Sequence, residues 1–198
     1  MMRGRLFAKA GVIAALALTL GACLGGGSAP SELLTLTPND PPAAGASRSG
    51  GVGEGLAVLT PSVPQALRTT RIPVYVNATT IQYLQNATWV EPPKDLFRRL
   101  LAETIAGRTG RLVLNPDLYT EVQGPTLTGQ LIQFGYDPAQ TSVVVVYEAA
   151  LARGAQSVQT QRFESRVPVA QPVATVVAPA LNQAANDVAG QIADWIGR

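Results

Sequence analysis

Apolar positions along this chain switch between two periods, and each switch predicts an element. "SELLTLTP", Ser31 to Pro38, reads as a short strand, and Leu56–Leu59 reads as another. "RIPVYVNATTIQYLQ" holds two short β-like runs, Ile72–Val76 and Thr80–Leu84, both rich in branched and aromatic side chains. After Glu91 the spacing becomes helical: Leu96, Phe97, Leu100, Leu101 and Ile105 make one apolar face. Pro92 or Pro93 suits the first turn of this helix, and Gly107 or Gly110 can end it. Asp95 with Arg99, and Arg99 with Glu103, are spaced to pair on its outer face.

A short strand at Arg111–Leu114 and a turn at Asn115-Pro116-Asp117 lead to three longer β runs, Leu127–Tyr136, Ser142–Arg153 and Ser157–Val167. Their brief separators favour an antiparallel meander. "VVVVYEAALA" lacks polar alternation in its first half, which predicts a central strand covered on both faces. "SVQTQRFESR" is polar at most positions and belongs nearer an edge or a wet face. Leu181, Ala184, Ala185, Val188, Ile192, Trp195 and Ile196 then fall on one helical stripe, which Pro179 either opens or kinks from a start near Val173. The expected fold is α+β: a mixed, largely antiparallel sheet with two amphipathic helices packed on one face.

The first residues do not belong to that pattern. Met1–Lys9 carries Arg3, Arg5 and Lys9 without an acid, Ala10–Leu20 is apolar apart from Gly11 and Thr19, and Gly21 and Ala22 are small. That succession reads as an export signal over residues 1–22. As a membrane span it is short of the roughly 20 apolar residues a bilayer requires. Leu20-Gly21-Ala22-Cys23 resembles the bacterial lipobox, whose cysteine becomes the first mature residue and carries acyl chains. Cys23 is the chain's single cysteine, and Leu24-Gly25-Gly26-Gly27-Ser28 after it has the composition of a flexible tether, residues 23–31. The domain then covers 32–198, with a Pro/Gly/Ser/Ala-rich flexible loop at 39–55.

Removing the signal changes the charge. Losing Arg3, Arg5 and Lys9 takes 15 basic residues to 12 against 13 acidic ones, so +2 becomes −1. Such a domain offers no electrostatic case for nucleic acid. It also has no histidine, so with Cys23 acylated neither a Ser-His-Asp nor a Cys-His site can form, nor a zinc site of the usual kind. Lys94, the one lysine left, reads as a solvated residue at a helix start rather than half of a Ser–Lys dyad. The cluster at Gly50–Gly55 lacks the GK[ST] ending of a phosphate-binding loop. Arg68, Arg71, Arg98, Arg99, Arg108 and Arg111 read as helix ion pairs and solvated groups before they read as a phosphate site. The sequence implies no catalytic residue, no metal ligand and no cofactor.

"LAVLTPSVPQALRTTRIPVYVNATTIQYLQNATWVEPPKDLFRRLLAETIA" resembles the ABC-type transport auxiliary lipoprotein family, which accompanies mammalian-cell-entry (MCE) lipid transport systems. "LTGQLIQFGYD", the all-valine strand, "QRFESRVPV" and "ALNQAANDVAGQIADWI" follow the family's order. The positions that match its recurrent residues are Arg71, Trp89, Pro92, Phe134, Phe163 and Trp195, in structural or partner-contact roles. Leu33-Leu34 stands where the family often has paired tyrosines. The resemblance implies a non-enzymatic envelope lipoprotein, on the periplasmic side and held at the outer membrane through acylated Cys23. It implies an MCE-domain protein with its permease and ATPase as partners, with phospholipid and further copies of the chain as additional candidates. The opposing reading is an outer-membrane assembly lipoprotein that binds a β-barrel or lipopolysaccharide.

Overall fold

Seven strand segments, most of them rich in branched and aromatic residues, form one mixed sheet in the computed structural model. The structure describes residues 32–51, 53–116, 118, 124–154 and 157–197. The expected export signal, Cys23 and the expected tether lie outside the described residues. In chain order the elements are β1 (Leu56–Val58), β2 (Arg71–Asn77), β3 (Thr80–Thr88), α1 (Pro93–Thr109), β4 (Val113–Leu114), β5 (Thr126–Asp137), β6 (Ser142–Ala152), β7 (Val158–Pro168) and α2 (Ala174–Ile196). Ser31–Pro38, expected as a strand, makes a single bridge between Leu34 and Trp89. Beyond it the segment bonds mainly to side chains of α2, which takes the place of a ladder.

The sheet is organised around β5. One of its edges pairs with β6 along the whole strand, and β6 pairs with β7, both antiparallel. Its other edge is shared by two parallel partners. Ala57 and Val58 of β1 face Thr126 and Leu127, and the ladder runs on through Ser62, which bonds to Gly129 and Leu131 at 3.0 Å each. The chain then makes a 3-10 turn at Gln65–Leu67 and returns as β2, where Val74 faces Tyr136. β3 and β4 close the flanks, antiparallel to β2 and parallel to β1 respectively.

A bulge corrects the phase of β5. The register shifts between Leu131 and Gln133, so the alternation of faces is reset at Ile132. Leu127 and Leu131 before the shift, and Phe134 and Tyr136 after it, therefore all enter the same core. Their partners Val143, Val145, Tyr147 and Leu151 on β6 join them there. Val144 and Val146 are also fully buried, on the opposite face. Their register neighbours on that face are Gln133, Gly135, Glu164 and Arg166, with the Tyr75 ring close to Gly135. Arg166 bonds to Asp137 at 2.9 Å and to Glu164 at 2.7 Å.

α2 lies across β6 and β7, with α1 beside it. It starts at Ala174 and contains Pro179 within its first turns. Proline there donates no N–H to the carbonyl four residues back, which is Thr175, exposed to solvent. Ala180, Ala184, Ala185, Ala189 and Ala193 are buried along the stripe, so its packed face is lined largely by methyl groups. α1 buries Leu96, Phe97, Leu100, Leu101 and Ile105 as the spacing predicts. Gly110 ends it at φ 68°, a left-handed conformation that favours glycine, with its N–H bonded to Ala106 O. The expected Arg99 pairs are replaced: Arg99 reaches Glu91 at 2.9 Å and Asp95 is taken by Lys94 at 3.3 Å. Glu91 sits just ahead of the two prolines, so its carboxylate stands over the first turns and competes for the same guanidinium.

Candidate functional site

The six family-matched positions do not converge. Trp89 and Phe134 meet edge-to-face at 5.7 Å between ring centres, deep in the core. Phe163 on β7 meets Trp195 on α2 in the same geometry, also at 5.7 Å. Pro92 is the capping position of α1. Arg71 is exposed and lays its guanidinium 4.5 Å over the Tyr83 ring on the neighbouring strand. These contacts weld strand to strand and sheet to helix, and none of the six lines any of the grooves described below.

The surface with the most polar organisation is the crossing of the N-terminal segment, residues 32–51, over the two helices. Thr37 N–H donates to Asn182 Oδ1 at 2.8 Å, and Asn39 N–H donates to Asn186 Oδ1 at 2.7 Å. Asn186 Nδ2 donates back to Thr37 O at 2.9 Å, and to Asn182 O within α2. Two asparagines one helical turn apart thus read the backbone of an extended segment and hold it as a strap. Leu36, just ahead of these bonds, is buried in the main core. Farther along, Gly107 of α1 leaves room for the Asp40 carbonyl, which a Cβ there would overlap. Arg108 ties the crossing together, with Asp194 at 3.0 Å and Asp40 at 3.8 Å.

Of the grooves that flank the strap, two have largely apolar linings. One, of about 440 Å³, lies between Leu34, Asn86, Ala174, Ala178 and Pro179, where the described chain begins at Glu32. Leu33, Val90, Val173 and Val176 are exposed apolar side chains adjacent in sequence to this groove or to its strand partner Trp89. The other, of about 340 Å³, lies between the far part of the strap, α1 and the segment leading into β4. Arg48, Arg98 and Arg111 stand on its rim. The sequence could not join Arg48, in a loop, to arginines more than forty residues away; only the crossing of the strap does so.

Among the described residues no cluster of His, Cys, Asp and Glu could hold a metal ion. Lys94 is engaged by Asp95 at a helix start. Burial pushes the Tyr75 phenol up to about 12, and the hydrogen bond its oxygen accepts from Phe134 N–H pulls less strongly the other way. Tyr147, whose hydroxyl has no partner among the described residues, is raised further by burial alone. Both are held as neutral phenols inside the sheet. No described helix is long and apolar enough to cross a membrane.

Solved structures place the fold. The crystal structure of protein XCC0632 from Xanthomonas campestris, of the DUF330 family, gives a TM-score of 0.64 at 20% identity, covering 85% of this chain and 93% of that one. A second, described as an uncharacterized protein, gives 0.58 at 13% identity over 75% of this chain and 93% of its own. No curated protein matches the chain. This chain's architecture is an α+β domain with a seven-stranded mixed sheet and two long helices. Residues 34–193 match the ABC-type transport auxiliary lipoprotein component family, and the chain belongs to it.

Proposed function

We propose that this protein is the lipid-anchored, non-enzymatic subunit that joins an MCE-type ABC lipid transporter to the outer membrane, with acylated Cys23 as its anchor. The observation that carries the reading is the order of parts in one chain. A lipobox-like Leu20-Gly21-Ala22-Cys23 stands directly ahead of a domain that matches a transport auxiliary lipoprotein over residues 34–193. From Cys23 to Glu32 a fully extended chain spans about 30 Å, so the domain would work within that distance of the anchor. An anchored domain meets its partner at high local concentration, which lowers the affinity the contact itself must supply. The chain's chemistry agrees with a binding role, since without histidine it has few routes to hydrolysis.

The test is purification of the acylated protein from its own membranes under mild detergent, with co-eluting proteins and lipids identified by mass spectrometry. Recovery of an MCE-domain protein is the expected result, with Cys23 at the mature N-terminus carrying acyl chains. Recovery of an outer-membrane barrel or lipopolysaccharide without any MCE protein would overturn it.

A further inference from the structure

The groove rimmed by Arg48, Arg98 and Arg111 is built from three separate parts of the chain: the strap, the outer side of α1 and the entry to β4. All three arginines are half-buried. Their donors are largely unspent. Arg48 gives one bond, to Ala106 O at 2.8 Å, and Arg111 gives a long one of 3.5 Å to Ile196 O. Arg98 has no acceptor among the described residues, although a guanidinium carries five N–H donors. The molecule treats its other described arginines differently. Arg99, Arg108 and Arg166 are paired with carboxylates, Arg153 bonds to Gln159, and Arg71 lies over Tyr83. Arg68 and Arg162 are exposed. Arg98 alone is half-buried without a partner among the described residues, and its guanidinium nitrogens still reach solvent, so its donors are open to an incoming anion.

One carboxylate, Glu103, shares the rim and makes no ion pair of its own among the described residues. Three cations against one anion leave a surplus of two positive charges. The apolar part of the lining includes Ala102, Leu112 and Leu114. Planar guanidinium forks match phosphate oxygens two at a time. Hydrocarbon fits the apolar part of the lining. At about 340 Å³ the groove is at the small end of ligand pockets, so it holds a headgroup and its linkage and leaves long tails outside.

We propose that this groove binds the phosphate ester of an amphiphile, with the Arg48, Arg98 and Arg111 guanidiniums on the phosphate and the first carbons of the apolar part on Ala102, Leu112 and Leu114. The inference rests on the lipid-transport reading for the source of the ligand, and it deepens that reading by giving the domain its own contact with the lipid.

The experiment is calorimetric titration of the intact acylated protein, held in a neutral maltoside detergent, with three probes blanked against detergent alone. Dihexanoyl phosphatidylglycerol carries both halves of the ligand, inorganic phosphate carries the charge, and dihexanoylglycerol carries the apolar part. The expected result is binding of the phospholipid at least tenfold tighter than either half, weakening with added salt. Arg98→Gln should lose tenfold or more, and Arg98→Lys, which keeps the charge but not the fork, should fall between. Because Arg98 has no partner to lose, both variants should keep the thermal midpoint of the parent, which separates lost binding from lost folding. Equal affinity for inorganic phosphate would make the site one for free phosphate and overturn the lipid assignment. An unchanged Arg98→Gln affinity, or no phospholipid binding, would overturn the site. If an MCE protein co-purifies while the titrations are blank, only this inference falls; titrations that succeed without an MCE protein leave the groove and remove the transporter.

Discussion

Asn186→Ala tests whether the N-terminal strap is held by its hydrogen bonds. Asn186 is 6% exposed. Its side chain accepts from Asn39 N–H at 2.7 Å and donates to Thr37 O at 2.9 Å. Truncation leaves the molecule two choices. It can keep the strap in place with one backbone N–H and one C=O unpaired in a partly buried crossing, at about 1–3 kcal/mol for each. Alternatively it can let the strap lift, which re-solvates those groups but exposes Leu36, whose burial is worth about 1.5–3 kcal/mol. The molecule takes the cheaper route, so the cost is bounded at about 1.5–3 kcal/mol. Urea unfolding should show that loss as a lower midpoint at unchanged slope if the strap stays, or a smaller slope if it lifts. Amide exchange at Thr37 and Asn39 should rise by orders of magnitude in the second case and little in the first. A loss below about 0.5 kcal/mol with unaltered exchange at both amides would refute the argument. Asn182→Ala, which removes a single exposed bond to Thr37 N–H, should cost less than half as much.

Other expectations follow from the sheet and its phenols. Gly129→Ala would drive a Cβ into the Glu148 carbonyl oxygen on the neighbouring strand and to 2.6 Å from the Tyr147 ring and hydroxyl; overpacking of this kind should destabilise by about 1–3 kcal/mol, read from the urea midpoint, and Tyr147→Phe in the same background should recover little of the loss, because the backbone oxygen and the ring carbon stay in place. Tyr75 and Tyr147 are both raised by burial, so the folded state favours their neutral forms. Their contribution is fully present below the unfolded tyrosine value near 10 and is lost as pH rises through about 12 for Tyr75 and beyond it for Tyr147. Stability should therefore be level in this respect below pH 10 and fall steeply above it, by about 3 kcal/mol from Tyr75 alone, with tyrosinate absorbance of the two phenols between pH 10 and 12 following unfolding.

What could be read from the sequence was whatever a local period encodes. The apolar face of α1, the valine strand and the three-strand meander each write their burial within a dozen residues. The polar strand β7 does lie at the sheet's edge, and Pro179 does sit inside α2. Features made by distant pieces were not legible. The reset at Ile132 is invisible because an uninterrupted run of mixed residues looks the same with or without one extra position. The division of one β5 edge between β1 and β2 depends on pairs separated by half the domain. Side-chain spacing on α1 suggested Arg99 partners four residues away, whereas Glu91 reached it from outside the helix. The arginine groove was the most hidden. Its rim joins Arg48 to Arg98 and Arg111, and composition alone could only count those residues as dispersed charge.

The shared edge of β5 sets an order in time. A chain made from its N-terminus presents β1 and β2 first, yet Ala57 cannot meet Thr126, nor Val74 meet Tyr136, until the β2–β3 hairpin and α1 have all been made. The meander of β5, β6 and β7 has short connections and can close on itself quickly once it exists. The oldest strands therefore wait longest, each with an unpaired side on which any foreign strand could settle. Pro61 and Pro64 lie between those two strands and Pro73 lies within the second. A proline offers no N–H to an intruding ladder. During the wait these prolines act as guards, and when β5 arrives the native pairing passes around them, through Ser62 and Val74.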